Sequence, residues 1–403
     1  MITFRLRIIW INPKDILYTY IGFYPFYPGN YRPVSLTSQL GKMCERVIRE
    51  VLVDFVERNQ LIKESQHGFR KGKSCLTNLL DFLENVTNLV DKGIPVDVIY
   101  LDFQKAFDKV PHQRLLYKLR KFGVSEQVTR WIKVWLENRR QRVVIQGEYS
   151  DWETVWSGVP QGSVLGPILF ILFIDDIDED VISKVWKFAD DTKLMGRVDD
   201  EESRGTLQLD LSRMFGWSKD WMMLFNADKC GVMHIGAKNE REELRLDGAL
   251  LKELSEEKDL GVIVQNDLKV NKQCIKAANS ANRMLGMIKR NFVCKDKDVI
   301  MPLYKTLVRP HLDYCVQAWR PHLVKDVTRL EKIQRRATKM IRGCEKLDYE
   351  GRVERLGLTR FEMRMRRADL IEVFKIMNGL EGIDEKKFFE RSTRDTRGHG
   401  LRL

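Results

Sequence analysis

The sequence lacks any apolar run long enough to cross a membrane. Its longest, Ile168 to Ile174, is closed by Pro167 and Asp175, whereas a spanning helix needs roughly 20 apolar residues. It also lacks paired cysteines. Cys44, Cys75, Cys230, Cys274, Cys294, Cys315 and Cys344 are scattered and odd in number, with no Cys-x-x-Cys. That argues against a disulfide framework and a zinc site and favours a reducing compartment. A secretory signal is missing too. Arg5 and Arg7 precede only a short apolar patch, Ile8 to Ile11, before Pro13, too little for a signal peptide.

What is present is globular. The chain has 403 residues, 43% hydrophobic and 31% charged, which suggests two or three domains. The net charge of +12 is uneven. Residues 269–403 hold 32 Lys and Arg against 17 Asp and Glu, a net of +15, and residues 1–268 hold 37 against 40, a net of −3. A neutral-to-acidic body with a basic end suits a protein that grips a polyanion while its own site needs carboxylates. The bland alternative is that the cations merely solvate helix faces.

Residues 1–28 show neither helical nor strand periodicity and carry Phe23-Tyr24-Pro25-Phe26-Tyr27-Pro28, so a poorly packed leader is expected. Leu40, Met43, Val47, Val51 and Phe55 fall at helical spacing. Thr77 to Val90 is a second helix, with Leu79, Leu80, Phe82, Leu83 and Val86 inward. Around Gly68 and Gly72 lies a basic, turn-rich loop. Pro95 to Tyr100 reads as a strand, with Val96, Val98 and Tyr100 alternating against Asp97 and Ile99. Ser125 to Arg140 is an amphipathic helix with its stripe at Val128, Trp131, Ile132, Trp135 and Leu136. Arg142–Ile145 and Glu153–Trp156 form a strand pair around Gly147. Two more short strands, Lys184–Ala189 and Thr192–Met195, meet at Asp190-Asp191. Beyond residue 269 the pattern is helical, as in Leu330, Ile333, Ala337 and Ile341. The body is mixed α/β and the end is α.

Three acids stand where chemistry could use them. Asp102 ends a strand, and Asp190 and Asp191 sit at a strand-turn-strand tip. Carboxylates from two strand ends can hold a pair of Mg²⁺ ions for in-line phosphoryl transfer, and the absence of a His/Cys cluster argues against zinc. Ordinary hairpin chemistry is the commoner reason for Asp-Asp in a turn.

The ordered set of motifs changes that balance. Leu101-Asp102-Phe103-Gln104-Lys105-Ala106-Phe107 is followed by Gly158-Val159-Pro160-Gln161-Gly162-Ser163. Phe188-Ala189-Asp190-Asp191, Asn226-Ala227-Asp228-Lys229 and Leu260-Gly261-Val262 come next. In order and spacing these resemble the palm motifs of reverse transcriptases of non-LTR (LINE-type) retrotransposons, near the jockey and chicken-repeat groups. Asn30-Tyr31-Arg32-Pro33-Val34-Ser35-Leu36 and Gln66-His67-Gly68-Phe69-Arg70 resemble the fingers motifs. Tyr304 to Trp319 and Leu330 to Ala337 resemble the helices after the palm. The resemblance covers about residues 29–380.

It implies an α+β right-hand polymerase: fingers at 29–94, palm at 95–268, and an all-helical thumb and connection at 269–403. The implied activity is RNA-directed DNA synthesis with an RNA template, a DNA primer or target, deoxynucleoside triphosphates and two Mg²⁺ (or Mn²⁺) ions. The implied setting is intracellular, nucleus or cytoplasm, without a membrane. Asp102 and Asp190 would hold the metals, with Asp191 as the third acid. Phe107 would lie under the sugar and exclude a 2′-hydroxyl, or simply be core. Gln161 and Gly162 would line the nascent base pair, where Gly permits close backbone approach. Arg32 would clamp the triphosphate, and Arg70 the triphosphate or template, guanidinium forks being suited to phosphate. Lys229 would protonate pyrophosphate, or be a surface lysine. The thumb, with Arg335 and Arg336, would grip the duplex through its phosphates. Tyr304, Tyr314 and Trp319 are expected to be core rather than base-stacking.

Asp108 and Asp175-Asp176 are read as structural. The chain departs from the family in having Phe23 to Pro28 where a lysine-rich stretch is usual. It also shows nothing like an endonuclease or a zinc knuckle, so a fragment joined to unrelated N-terminal sequence is expected. An RNA-dependent RNA polymerase would share the acids, but Phe107 argues against it. An inactive nucleic-acid-binding remnant is the competing reading from another class.

Overall fold

The computed structural model describes residues 15–21, 32–35, 37–145 and 147–390, with side chains described for Ser35, 37–144 and 147–390. The rest of the expected leader lies outside the described residues. Within that leader, Asp15–Ile21 forms a strand, β1, antiparallel to β2 (Arg32–Ser35). Then come helices α1 (Gln39–Arg58) and α2 (Cys75–Asp91). Ser74 starts α2 with a capping box, its hydroxyl accepting from Thr77 N–H while Thr77 Oγ1 accepts from Ser74 N–H, which satisfies donors a helix start leaves open. Leu79, Phe82 and Val86 are its buried face.

Helix α1 forms where expected but turns its stripe outward. Leu40, Met43, Val47 and Val51 are 72%, 61%, 62% and 55% exposed, and Glu45, Leu52 and Val56 are buried instead. Periodicity locates a stripe; it does not say what covers it.

Strand β3 (Val96–Leu101) is followed by α3 (Ala106–Lys109), α4 (His112–Lys121) and α5 (Glu126–Leu136). Next are β4 (Arg140–Ile145), β5 (Glu148–Tyr149) and β6 (Glu153–Thr154). β4 pairs with β1 in parallel and with β5 and β6 antiparallel. Residues 140–154, expected in the palm, therefore share a sheet with the N-terminal strands. Such pairing joins distant stretches and leaves no mark on local sequence pattern.

The central sheet is built next. Helix α6 (Gly166–Phe173) has every residue except Pro167 buried. β7 (Lys184–Phe188) and β8 (Asp191–Arg197) precede α7 (Glu201–Asp220) and β9 (Gly231–Ile235). Short strands β10 (Arg245–Leu246), β11 (Ala249–Leu250) and β12 (Lys252–Glu253) lead to the hairpin β13 (Glu256–Asp259) and β14 (Val262–Gln265). The sheet order is β12-β9-β3-β8-β7, antiparallel except where β12 meets β9. One face, with Ile99, Leu101, Leu194 and Val232, joins the core formed with α4, α6 and α7. The other, with Val98, Met195 and Met233, packs on Phe82 and Val86 of α2 and on Val264. A strand covered on both sides loses alternation; β3 is buried at every position from Val96 to Ile99. Asp97 tolerates this because His234 Nδ1 lies 2.8 Å away and Asn239 Nδ2 donates at 2.7 Å.

The remainder is helical, as expected: α8 (Asn271–Asn291), α9 (Lys297–Leu303), α10 (Pro310–Asp313), α11 (Val316–Trp319), α12 (Val324–Lys339), α13 (Tyr349–Arg355) and α14 (Phe361–Met377). Leu330, Ile333, Ala337 and Ile341 are all buried there, as are Tyr304 and Trp319. Tyr304 Oη bonds Gln334 Oε1 at 2.9 Å, and Gln334 Nε2 donates to Tyr349 Oη and the Thr359 carbonyl. Tyr314 is instead 44% exposed. No helix among the described residues is long and apolar enough to cross a membrane.

Candidate active site

β7 and β8 are joined by a two-residue turn. Phe188 pairs with Asp191, which leaves Ala189 and Asp190 at the tip. Ala189 adopts φ 55°, in the left-handed region that tight hairpins demand and side-chain-bearing residues rarely take. On its other side β8 pairs with β3, setting Leu101 opposite Thr192. One residue further, the register brings Asp102 beside Asp191, on the face shared by Tyr100 and Lys193. Asp102, just beyond β3, and Asp191, opening β8, thus lie at one rim of the sheet, with half-buried Asp190 in the turn beside Asp191. A cavity of about 100 Å³ opens beside them, lined in part by Asp102, Asp191, Lys229, Tyr100, Lys193 and Asp259.

Lys229 reaches this rim through a backbone tether. Asn226 N–H donates to the Asp102 carbonyl at 2.7 Å and Gln104 N–H to that of Leu224 at 2.9 Å, while Phe103 and Phe225 stack at 4.6 Å. The short turn Ala227–Lys229 then delivers the Lys229 ammonium 3.1 Å from Asp102 Oδ2. With both side chains well exposed, that pair adds little stability. It does show Asp102 already accepting a cation. Burial pushes the neighbouring Cys230 thiol up to about 11. The remaining donors are hard oxygens, the type Mg²⁺ takes. Among the described residues no three His, Cys, Asp or Glu side chains stand as a preformed cluster. Mg²⁺ commonly needs only one or two carboxylates, with substrate phosphates and water completing its shell. The donor set fits that ion.

Behind the acids, Lys193 and Asp259 form a buried ion pair from β8 to β13, with Lys193 over the Phe82 ring at 4.2 Å. Burial lowers the lysine pKa while Asp259 opposes the shift. Burial, then Asp259 and Glu257, raises Tyr100 well above its usual value. The tip of the β13–β14 hairpin is held from the helical end: Tyr314 Oη donates to the Leu260 carbonyl at 2.8 Å and Lys276 Nζ to that of Gly261 at 2.5 Å. Gly261 has φ 91°, and a Cβ there would lie 3.2 Å from the Tyr314 ring.

The Gln66–Arg70 motif lies against the β7–β8 hairpin. Arg70 is engaged there, donating to the Lys63 and Gln66 carbonyls and to Glu64. Buried His67 has Nδ1 3.0 Å from Thr77 Oγ1, and burial, followed by the charge of Lys73, lowers its pKa to about 3. The unfolded chain therefore binds a proton below about pH 6.5 that the folded chain refuses. This contribution is intact above that pH and is lost on acidification, at up to about 1.4 kcal/mol per pH unit. Burial shifts His112 in the same direction. We expect His67→Asn to flatten the dependence of unfolding free energy on pH between about 6.5 and 5. An unchanged slope in denaturant titrations would assign the acid sensitivity elsewhere.

Phe107, Gln161, Gly162, Arg70, Arg335 and Arg336 do not line the cavity beside the acids. Phe107, half-buried, stacks on Phe170 at 4.5 Å and 12°. The Gln161 carbonyl accepts from Ser35 N–H at 2.7 Å, and exposed Gly162 has φ 96°. Arg32 lies in β2, but its side chain is outside the described residues. Arg335 and Arg336 are exposed on α12, Arg335 over the Tyr349 ring at 4.3 Å and Arg336 donating to Asn282 at 2.7 Å. Asp175 accepts from Lys63 N–H, and Asp176 from Trp217 Nε1 and buried Lys118. Sequence reasoning missed Glu45. Buried in α1, it accepts from Val164 and Leu165 N–H ahead of α6 and from Trp135 Nε1. A lone acid between exposed apolar positions gives no local sign of such a role.

Carboxylates at the ends of adjacent sheet strands, beside a basic helical region, define a site suited to metal-assisted phosphoryl transfer. The chain belongs to the reverse transcriptase (RNA-dependent DNA polymerase) family, whose profile matches residues 14–287. It is 30% identical over 336 residues to the RNA-directed DNA polymerase from mobile element jockey of Drosophila funebris, covering 80% of this chain and 36% of that one. It is 27% identical over 344 residues to the probable RNA-directed DNA polymerase from transposon BS of Drosophila melanogaster, covering 79% and 36%. The chain thus spans about a third of the length of these curated relatives. A solved structure of apo telomerase from Candida tropicalis aligns with TM-score 0.47 and 10% identity, over 81% of this chain and 57% of that one. The family match starts at residue 14, inside the expected leader.

Proposed function

We propose that this chain is the polymerase portion of a non-LTR retrotransposon protein, adding deoxynucleotides to a DNA 3′-hydroxyl on an RNA template. The observation that carries the reading is the β3–β8 pairing, which ends with Leu101 opposite Thr192 and leaves Asp102 and Asp191 on the wall of one cavity, with Asp190 in the adjoining turn. Asp102 and Asp190 would hold two divalent ions, Mg²⁺ or Mn²⁺, with Asp191 helping to place them. When bound, such ions activate the attacking hydroxyl and take up charge on the departing pyrophosphate. Lys229, now on Asp102, would exchange that contact for pyrophosphate and hand it a proton.

In this reading Gln161 and Gly162 would line the nascent base pair and Arg32 would grip the triphosphate. Arg70 has less freedom for that task, its guanidinium being committed to two carbonyls and Glu64. Arg335 and Arg336 offer exposed charge to duplex phosphates, so binding weakens steeply with salt. The inactive-remnant reading has one observation in its favour, the ion pair that Lys229 makes with Asp102. Purified protein given Mg²⁺, deoxynucleotides and a DNA primer on an RNA template should extend the primer. Tight duplex binding without extension would favour the remnant.

Phe107 provides a second check. If its ring blocks the 2′-hydroxyl, Phe107→Ala should raise ribonucleotide incorporation relative to deoxynucleotide by roughly tenfold or more, the scale one steric contact in a pocket supplies. Unchanged discrimination with a lowered melting temperature would make Phe107 only the stacking partner of Phe170.

A further inference from the structure

We propose that Gln66 is a positioning residue whose carboxamide oxygen fixes the acid-bearing turn. Gln66 is fully buried, and its Oε1 accepts two backbone bonds, from Gly68 N–H at 2.7 Å and Ala189 N–H at 3.0 Å. Its Nε2 has no partner among the described residues, so there the acceptor oxygen alone accounts for the side chain's hydrogen bonding. The backbone around it is committed to the same hairpin. Gln66 bridges Lys187 in parallel, Lys187 N–H donates to Ser65 at 2.8 Å, and His67 N–H donates to Lys187 at 2.8 Å. Lys187 is itself anchored, its buried ammonium donating to the Asp175 carbonyl and Asp178.

The close approach leaves no room for adjustment. A Cβ on Gly68 would lie 2.5 Å from the Ala189 nitrogen. Ala189 is held at φ 55°, a strained choice that persists only when its surroundings dictate it. Gln66 thus does for Ala189 what an outer hydrogen-bond partner does for a ligand: it fixes the orientation of the next residue, Asp190. A segment of the fingers thereby sets the geometry of the palm's acids. The inference rests on the metal reading above for its consequence, but not for the contact itself.

The test uses the full chain bound to primer–template duplex and compares Gln66→Met with Gln66→Glu. Methionine matches the length but has no strong acceptor, whereas glutamate presents an acceptor in either protonation state. Hydrogen exchange read by mass spectrometry over residues 188–191 should accelerate at least about tenfold in Gln66→Met, because the Ala189 amide loses its partner, and return toward wild type in Gln66→Glu. Mn²⁺ affinity, read by electron paramagnetic resonance, should fall about 10–100-fold in Gln66→Met with duplex affinity retained. Unchanged exchange in Gln66→Met, or no recovery in Gln66→Glu, would overturn the proposal. So would equal losses of Mn²⁺ and duplex binding, which mark a general structural role. Wild-type protein that binds no Mn²⁺ would instead defeat the metal reading, and hydrogen exchange would still decide the brace.

Discussion

Asp190→Asn should abolish primer extension while duplex affinity stays close to wild type. The amide keeps the shape of the carboxylate and its place in the two-residue turn, but it carries no charge to hold a divalent ion. Metal assistance contributes several kcal/mol to such a transition state. Because each 1.36 kcal/mol is tenfold in rate, the loss should be on the order of 10³-fold or more. Single-turnover incorporation of one nucleotide, measured beside duplex binding at fixed salt, separates the two quantities. An active wild type indifferent to Asp190→Asn would remove the turn from the chemistry. Asp102→Asn should behave similarly and should also release Lys229, which now rests on that carboxylate.

The largest effect on stability should come from Lys193→Met. Lys193 and Asp259 are 5% and 6% exposed at their side chains, so the substitution strands a carboxylate in the interior. Breaking a buried pair from one side costs about 3–5 kcal/mol, whereas replacing both partners by apolar groups is often nearly neutral. The double variant Lys193→Met/Asp259→Leu should therefore recover most of the loss in denaturant unfolding. A single variant within about 1 kcal/mol of wild type, the value of a surface pair, would mean that water reaches Asp259. The pair matters beyond stability because it joins β8, which carries Asp191, to the β13–β14 hairpin that Tyr314 and Lys276 hold from the helical end.

The parts of this site that sequence discloses are those with local signatures. Asp102 closes a run of strand formers, and Asp190-Asp191 interrupt two more, so the strand ends and the turn follow from pattern. The α5 and α12 stripes follow from period. Non-local matters escape. Nothing around Leu40, Met43, Val47 and Val51 says that this apolar stripe is the outward one, since the answer lies in Glu45 capping α6 more than a hundred residues away. Gln66 is visible as part of a motif, yet its task depends on Ala189, 123 positions on. The short strands β10 to β14 are two to four residues each, below the length at which alternation can be read. Lys193 looks like a solvated strand residue until Asp259 is brought beside it.

The most direct measurement of the central claim is anomalous diffraction from the chain crystallised with Mn²⁺, primer–template duplex and a non-hydrolysable deoxynucleotide. The account predicts Mn²⁺ density between the carboxylates of Asp102 and Asp190, with the Lys229 ammonium displaced from Asp102. Ordered duplex and nucleotide with Lys229 still on Asp102 and no Mn²⁺ at these acids would contradict it.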